Sequence, residues 1–133
     1  MAEIGATAFE AINEGHLNAL VVAGAEESRA LDVKRDMYDT SNSGKREFLK
    51  DISAFANTAG GDLLIGVDET NGIVTGIPGL TGNADAMILR LEQLATNSIR
   101  PRIVGLEMRA ISLVSRSFVI AVRVPRSWIY ATI

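Results

Sequence analysis

Cysteine is absent from this 133-residue chain, and histidine occurs once, as His16. Without cysteine there is no disulfide, no thiolate metal site and no thiol nucleophile. A single histidine excludes multi-histidine zinc sites and weakens any Ser-His-Asp arrangement. No apolar run approaches the ~18–20 residues of a membrane-spanning helix. The start, Met1-Ala2-Glu3-Ile4-Gly5, is acidic where a secretory leader is basic. These features fit a cytoplasmic protein with no membrane partner. Aromatic residues make up only 5% of the chain, so few rings are available for stacking or core packing.

What is present is enough for one domain. Hydrophobic residues account for 47% and charged residues for 22% of the chain, ample for a core and too apolar for disorder. The net charge of −3 hides an asymmetry: residues 1–66 carry −5, whereas residues 67–133 carry +2, with arginine as the only base. The acidic balance counts against a strong non-specific nucleic-acid footprint but leaves room for a local basic face.

The pattern reads as an α+β domain, a mixed and largely antiparallel sheet packed against two main helices. Residues 8–22 are weakly helical, with Gly15 as an expected break. Leu31 and Val33 alternate with Asp32 and Lys34 as a short strand over 31–36. Residues 39–44 are a loop of turn formers. Phe48, Ile52, Phe55 and Ala59 mark a helix over 45–58, capped by Ser43 or Gly44 and ended at Gly60-Gly61. Residues 63–67 are apolar on both faces, hence a buried strand, and Asn71-Gly72 predicts a hairpin returning through 73–77. Asn83 opens a second helix running to Ser98, and strands are expected over 104–110 and 118–124.

Three carboxylates stand out. Glu27 and Asp32 flank the start of the first strand, and Asp68 follows the buried one. Carboxylates that converge need a cation to stay ionised side by side, and magnesium or manganese would supply it and activate water for phosphodiester hydrolysis. Lys34, on the same strand face as Asp32, would stabilise the developing phosphorane charge. The alternative is ordinary surface acids paired with Lys34 or Arg35. The loop 41–44 leading to Lys45-Arg46 is half of a phosphate loop, but Asp39 and Arg46 stand where a Walker A motif needs Gly and Ser or Thr. What survives is a cationic helix start, with Lys45 and Arg46 beside free backbone N–H groups, suited to a nucleic-acid phosphate. His16 reads as a helix-surface residue. Trp128 and Tyr130 suit base stacking or loose terminal packing equally well.

Taken together, Glu27-Ser28-Arg29-Ala30-Leu31-Asp32-Val33-Lys34, the run Ile52 to Asp68 with its Ala-Phe-Ala-Asn-Thr-Ala-Gly-Gly core, and Gly72-Ile73-Val74-Thr75-Gly76 resemble the Schlafen AlbA-like domain over about 25–125. The family occurs in bacteria and archaea as a DNA-binding module, often joined to helix-turn-helix regions, and in animal Schlafen proteins. The resemblance implies a nucleic-acid-binding domain, for DNA or RNA, with a regulatory role such as transcriptional regulation. Its contacts would come from Lys34, Arg35, Lys45 and Arg46. The alternative it implies is a metal-dependent endoribonuclease, with Glu27, Asp32 and Asp68 as metal ligands and catalytic acids, Lys34 beside them, and magnesium or manganese as cofactor. Asp32 departs from the family pattern, which has Glu there. The chain also stops at Ile133, where members run on, so truncation at this end and self-association through an open sheet edge are expected.

Overall fold

Asp32 and Lys34 alternate with Leu31 and Val33 because a strand turns successive side chains to opposite faces, and that alternation places the candidate site. In the computed structural model, which describes residues 4–133, the strand is β1 (Leu31–Lys34). It follows two short 3₁₀ turns, Ile4–Ala6 and Phe9–Ala11, and α1 (Glu14–Ala23). Then come α2 (Asn42–Ala56), β2 (Gly61–Ile65), β3 (Asp68–Thr70), β4 (Ile73–Gly76), α3 (Ala84–Ser98), β5 (Glu107–Ser112) and β6 (Phe118–Val124).

The main sheet runs β1-β2-β6-β5, and β3 and β4 form a separate hairpin. β1 and β2 are parallel, with Asp32 opposite Leu63 and Lys34 opposite Ile65, while the other neighbours are antiparallel. The sheet is thus mixed and largely antiparallel, as the sequence pattern suggests, with β1–β2 as the parallel exception. The exception arises because α2 lies between β1 and β2, and a crossover helix returns the chain in the same direction. Gly66, at φ 107°, then turns the chain out of β2. Both Gly66 and Val67 donate to the carbonyl of Lys34, at 2.7 and 3.0 Å, so the end of β1 is pinned to the end of β2.

Two apolar layers flank the sheet. On one face, Phe48, Ile52 and Phe55 of α2 and Leu91 of α3 pack against Leu63, Ile65, Ile120 and Val122. On the other, Ile12 and Leu17 pack with Val33, Leu64, Val119 and Ala121. Burying each such side chain contributes roughly 1.5–3 kcal/mol. β2 and β6 are covered on both sides, which is why Leu63-Leu64-Ile65 lacks polar alternation.

Several boundaries differ from the sequence reading. α2 starts at Asn42 because Ser41 accepts the Gly44 N–H at 3.1 Å as its cap. α1 is not broken at Gly15: Asn13 caps it and the His16 ring accepts the Asn13 N–H, so Gly15 lies in the first turn. β5 begins at Glu107 because Val104 and Gly105 form a turn, Gly105 at φ 84°. Gly60, at φ 80°, is the left-handed residue after α2, and Asn71 and Gly72 both have the positive φ of the expected hairpin turn.

Candidate functional site

β1 is an edge strand, so the backbone groups on its outer side lack a strand partner. The Glu27 carboxylate supplies one: its Oε2 accepts the Val33 N–H at 3.1 Å. Glu27 is itself held by its own N–H, which donates to Gly72 O at 2.7 Å in the β3–β4 hairpin. This brings Glu27 within hydrogen-bonding reach of Asp32. Burial, then the hydrogen bond and charge of Glu27, then the charge of Asp51 push the Asp32 carboxyl up to about 7, against the pull of Lys34. Asp32 therefore keeps its proton to a much higher pH than an ordinary aspartate, with Glu27 beside it.

Lys34 points from the same face of β1 toward α2. Its ammonium lies 2.7 Å from Glu47 Oε1 and 3.8 Å from Asp51 Oδ2, and 5.8 Å from the Tyr38 ring centre. Burial works against its charge, but the Glu47 hydrogen bond and the charges of Asp51, Glu47 and Asp32 outweigh it and raise its pKa. The Tyr38 hydroxyl donates to Asp51 at 2.6 Å, and burial followed by that bond keeps it protonated. The site is thus one lysine among Glu27, Asp32, Glu47 and Asp51, closed on one side by a tyrosine.

The expected trio is not assembled. Among the described residues, no three His, Asp or Glu side chains form a group able to hold a metal ion. Glu27 and Asp32 meet, but Asp51 and not Asp68 is the further acid acting on Asp32. Asp68 opens β3 at a bulge, where its Oδ1 accepts the Glu69 N–H at 3.0 Å. Lys34 and the Tyr38 hydroxyl engage the remaining acids near Asp32, Glu47 and Asp51, so the expected ligand set of Glu27, Asp32 and Asp68 for magnesium or manganese is not gathered here. Lys34 is likewise paired with α2 through Glu47 and Asp51. Glu47, Asp51 and Tyr38 escape the sequence reading. Its only trace of them is the four-residue spacing of Glu47 and Asp51, which puts both on one side of α2.

Arg35, Lys45 and Arg46 are exposed, and none makes an ion pair or side-chain hydrogen bond among the described residues. The arginines of the second half behave differently, since four of the seven bind backbone carbonyls. Arg90 donates to Tyr38 O, and Arg100 donates to Thr96 O and Ile99 O. Arg109 donates to Phe9 O and Ile12 O. Arg123 reaches Thr7 O and Ile4 O while forming a two-pronged pair with Asp62 at 2.8 and 3.1 Å. The positive charge of this half is therefore largely spent inside the fold.

The fold is shared with solved structures. The N-terminal domain of a RecG-related protein from Nitrosomonas europaea superposes with a TM-score of 0.64 at 22% identity, over 86% of this chain and 74% of that one. The DIP2311 protein from Corynebacterium diphtheriae gives 0.51 at 14% identity over 89% of this chain, which spans 23% of that larger protein. No curated protein matches the sequence. Among the described residues no helix is long and apolar enough to cross a membrane. Residues 27–130, from the acid that caps β1 to the second exposed ring, match the family described as Schlafen, AlbA_2, and the chain belongs to that family.

Proposed function

We propose that this domain binds nucleic acid along the basic edge of α2, in a regulatory and not a catalytic role. The observation that carries the reading is how α2 sorts its charges. Glu47 and Asp51, four residues apart, turn toward β1 and meet Lys34. Arg46 and Lys50, also four apart, follow a different line along the helix. Both are exposed and unpaired among the described residues, with Lys45 beside them and Arg35 beyond the end of β1. A phosphate backbone is repelled by the acidic side and attracted by the basic one, so the domain's net charge of −3 does not decide the matter. The family, and a structural neighbour whose name describes a DNA-helicase-related protein, support the same reading. Metal-dependent cleavage through Glu27, Asp32 and Asp68 finds no comparable support, because those acids form no metal-binding group.

The test is binding of a labelled 20-base-pair duplex and a labelled single strand at about 50 and 200 mM salt, followed by fluorescence anisotropy. Phosphate contacts release counterions, so affinity falls steeply with salt, and each contact adds about 0.9 to the log–log slope. The Lys45→Ala/Arg46→Ala double variant is expected to lower that slope by roughly two. No binding of either probe by the unaltered protein at low salt, or an unchanged slope in the variant, overturns the reading.

A further inference from the structure

Five of the seven aromatic rings are buried: Phe9, Tyr38, Phe48, Phe55 and Phe118. The other two, Trp128 and Tyr130, are 85% and 73% exposed and lie in one short stretch after β6. This stretch is not loose. Ser127 N donates to Ala56 O at 2.7 Å, and the Asn57 side chain brackets Ala131 by accepting its N–H at 2.8 Å and donating to its carbonyl at 3.0 Å. Thr132 and Arg100 exchange two backbone hydrogen bonds of 2.7 Å each, and Ala131 is only 2% exposed. The backbone is fixed against the end of α2 while its rings face water.

The charged side chains beside those rings are of one sign. The Arg126 guanidinium lies 4.5 Å from the Trp128 ring centre. Next to Tyr130 runs an open groove of about 620 Å³, lined by Lys50, Ser53, Ala54, Asn57, Thr58 and residues 130–133, with no acidic side chain among them. Ser53 is itself buried, and its hydroxyl has no hydrogen-bond partner. Lys50 belongs both to this groove and to the basic edge of α2, so the two surfaces are continuous.

We propose that Trp128 and Tyr130 form a stacking platform for the unpaired bases of a single-stranded nucleic acid, with Lys50 and Arg126 placed for its phosphates. The proposal rests on the nucleic-acid reading above and adds to it which strand form is bound and where. Flat rings held on an ordered backbone stack on any base at little entropic cost, and flanking cations follow the strand. A duplex hides its base faces and gains nothing from the rings.

Trp128 is the only tryptophan of the chain, so its fluorescence reports this surface alone. Titration of the full chain with 15-nucleotide oligothymidylate, and separately with oligouridylate, is expected to quench it, whereas a blunt duplex leaves it unchanged. By anisotropy, Trp128→Ala and Tyr130→Ala should each weaken single-strand binding about five- to a hundredfold and leave duplex binding within twofold. Trp128→Phe should retain part of the affinity. Because both rings are exposed, the alanine variants should melt with the parent to within a degree or two. Duplex binding without single-strand quenching overturns the platform and spares the basic edge; loss of all binding overturns both. A concentration-dependent blue shift with dimer formation in sedimentation identifies a second copy as the occupant and also overturns it.

Discussion

Replacing Asp32 with asparagine tests whether the fold holds Asp32 protonated beside Glu27. In the unfolded chain Asp32 titrates near its ordinary 3.8, and in the fold at about 7. Between those values the folded protein holds a proton that the unfolded one has released. Stability from this group is therefore greatest below about pH 4, falls as pH rises toward 7, and is flat above. At 1.36 kcal/mol per pH unit the upper bound is ~4 kcal/mol. Asp32 is only half withdrawn from water and has Lys34 beside it, so screening reduces this to about 1–2 kcal/mol. Asparagine resembles the protonated acid in size and can donate to Glu27. Asp32→Asn should then match the parent near pH 4 and exceed it by about 1–2 kcal/mol at pH 8, read by urea denaturation at several pH values. Asp68→Asn should leave the difference between pH 4 and 8 at its parental value, because Asp68 is not among the charges acting on Asp32. An Asp32→Asn effect that does not change with pH, or a loss of stability at pH 8, refutes the reasoning. A profile altered equally by Asp68→Asn would show the three acids acting as one group.

Arg123→Met removes the cation from Asp62, which is 4% exposed, and a buried carboxylate left alone costs about 3–5 kcal/mol. The loss should appear as a drop in Tm of roughly 10–15 °C, with part of it restored by adding Asp62→Leu. Asn57→Ala deletes both hydrogen bonds that bracket Ala131. Amide exchange at Ala131 and Thr132 should rise by at least tenfold while the central strands keep their protection.

The parts of the fold legible in the sequence are those whose cause is local. The strand Phe118–Val124 is a short apolar run rich in β-branched residues, and α3 carries both its stripe and its Asn83 cap. The N-terminal turns have no such local cause. Phe9–Ala11 is a 3₁₀ turn with no side-chain cap, and its neighbours' carbonyls are held by Arg109 and Arg123, about a hundred residues further along the chain. Periodicity over residues 8–22 therefore reads as a weak helix broken at Gly15, where there are a turn over Phe9–Ala11 and a helix from Glu14. The parallel pairing of β1 with β2 was open to inference from the α2 segment between them, since only a crossover of that length suits parallel strands.

The site was legible to the extent that it depends on strand direction. β1 and β2 are neighbours, and Glu27 does reach Asp32. The position of Asp68 depends on a bulge in a three-residue strand, and no pattern of that length specifies one. The charge count misled for a related physical reason. An arginine contributes to a surface footprint only if no carbonyl at a loop or helix end lies within reach of its guanidinium, and five donors on a long stem make that condition hard to meet. Arg90, Arg100, Arg109 and Arg123 all find such carbonyls, so the net +2 of residues 67–133 describes cement between segments more than a binding face. Lys45, Arg46 and Lys50 stand on the exposed side of a helix whose carbonyls are already paired within it. There the backbone offers them nothing, and their charge is left for a partner.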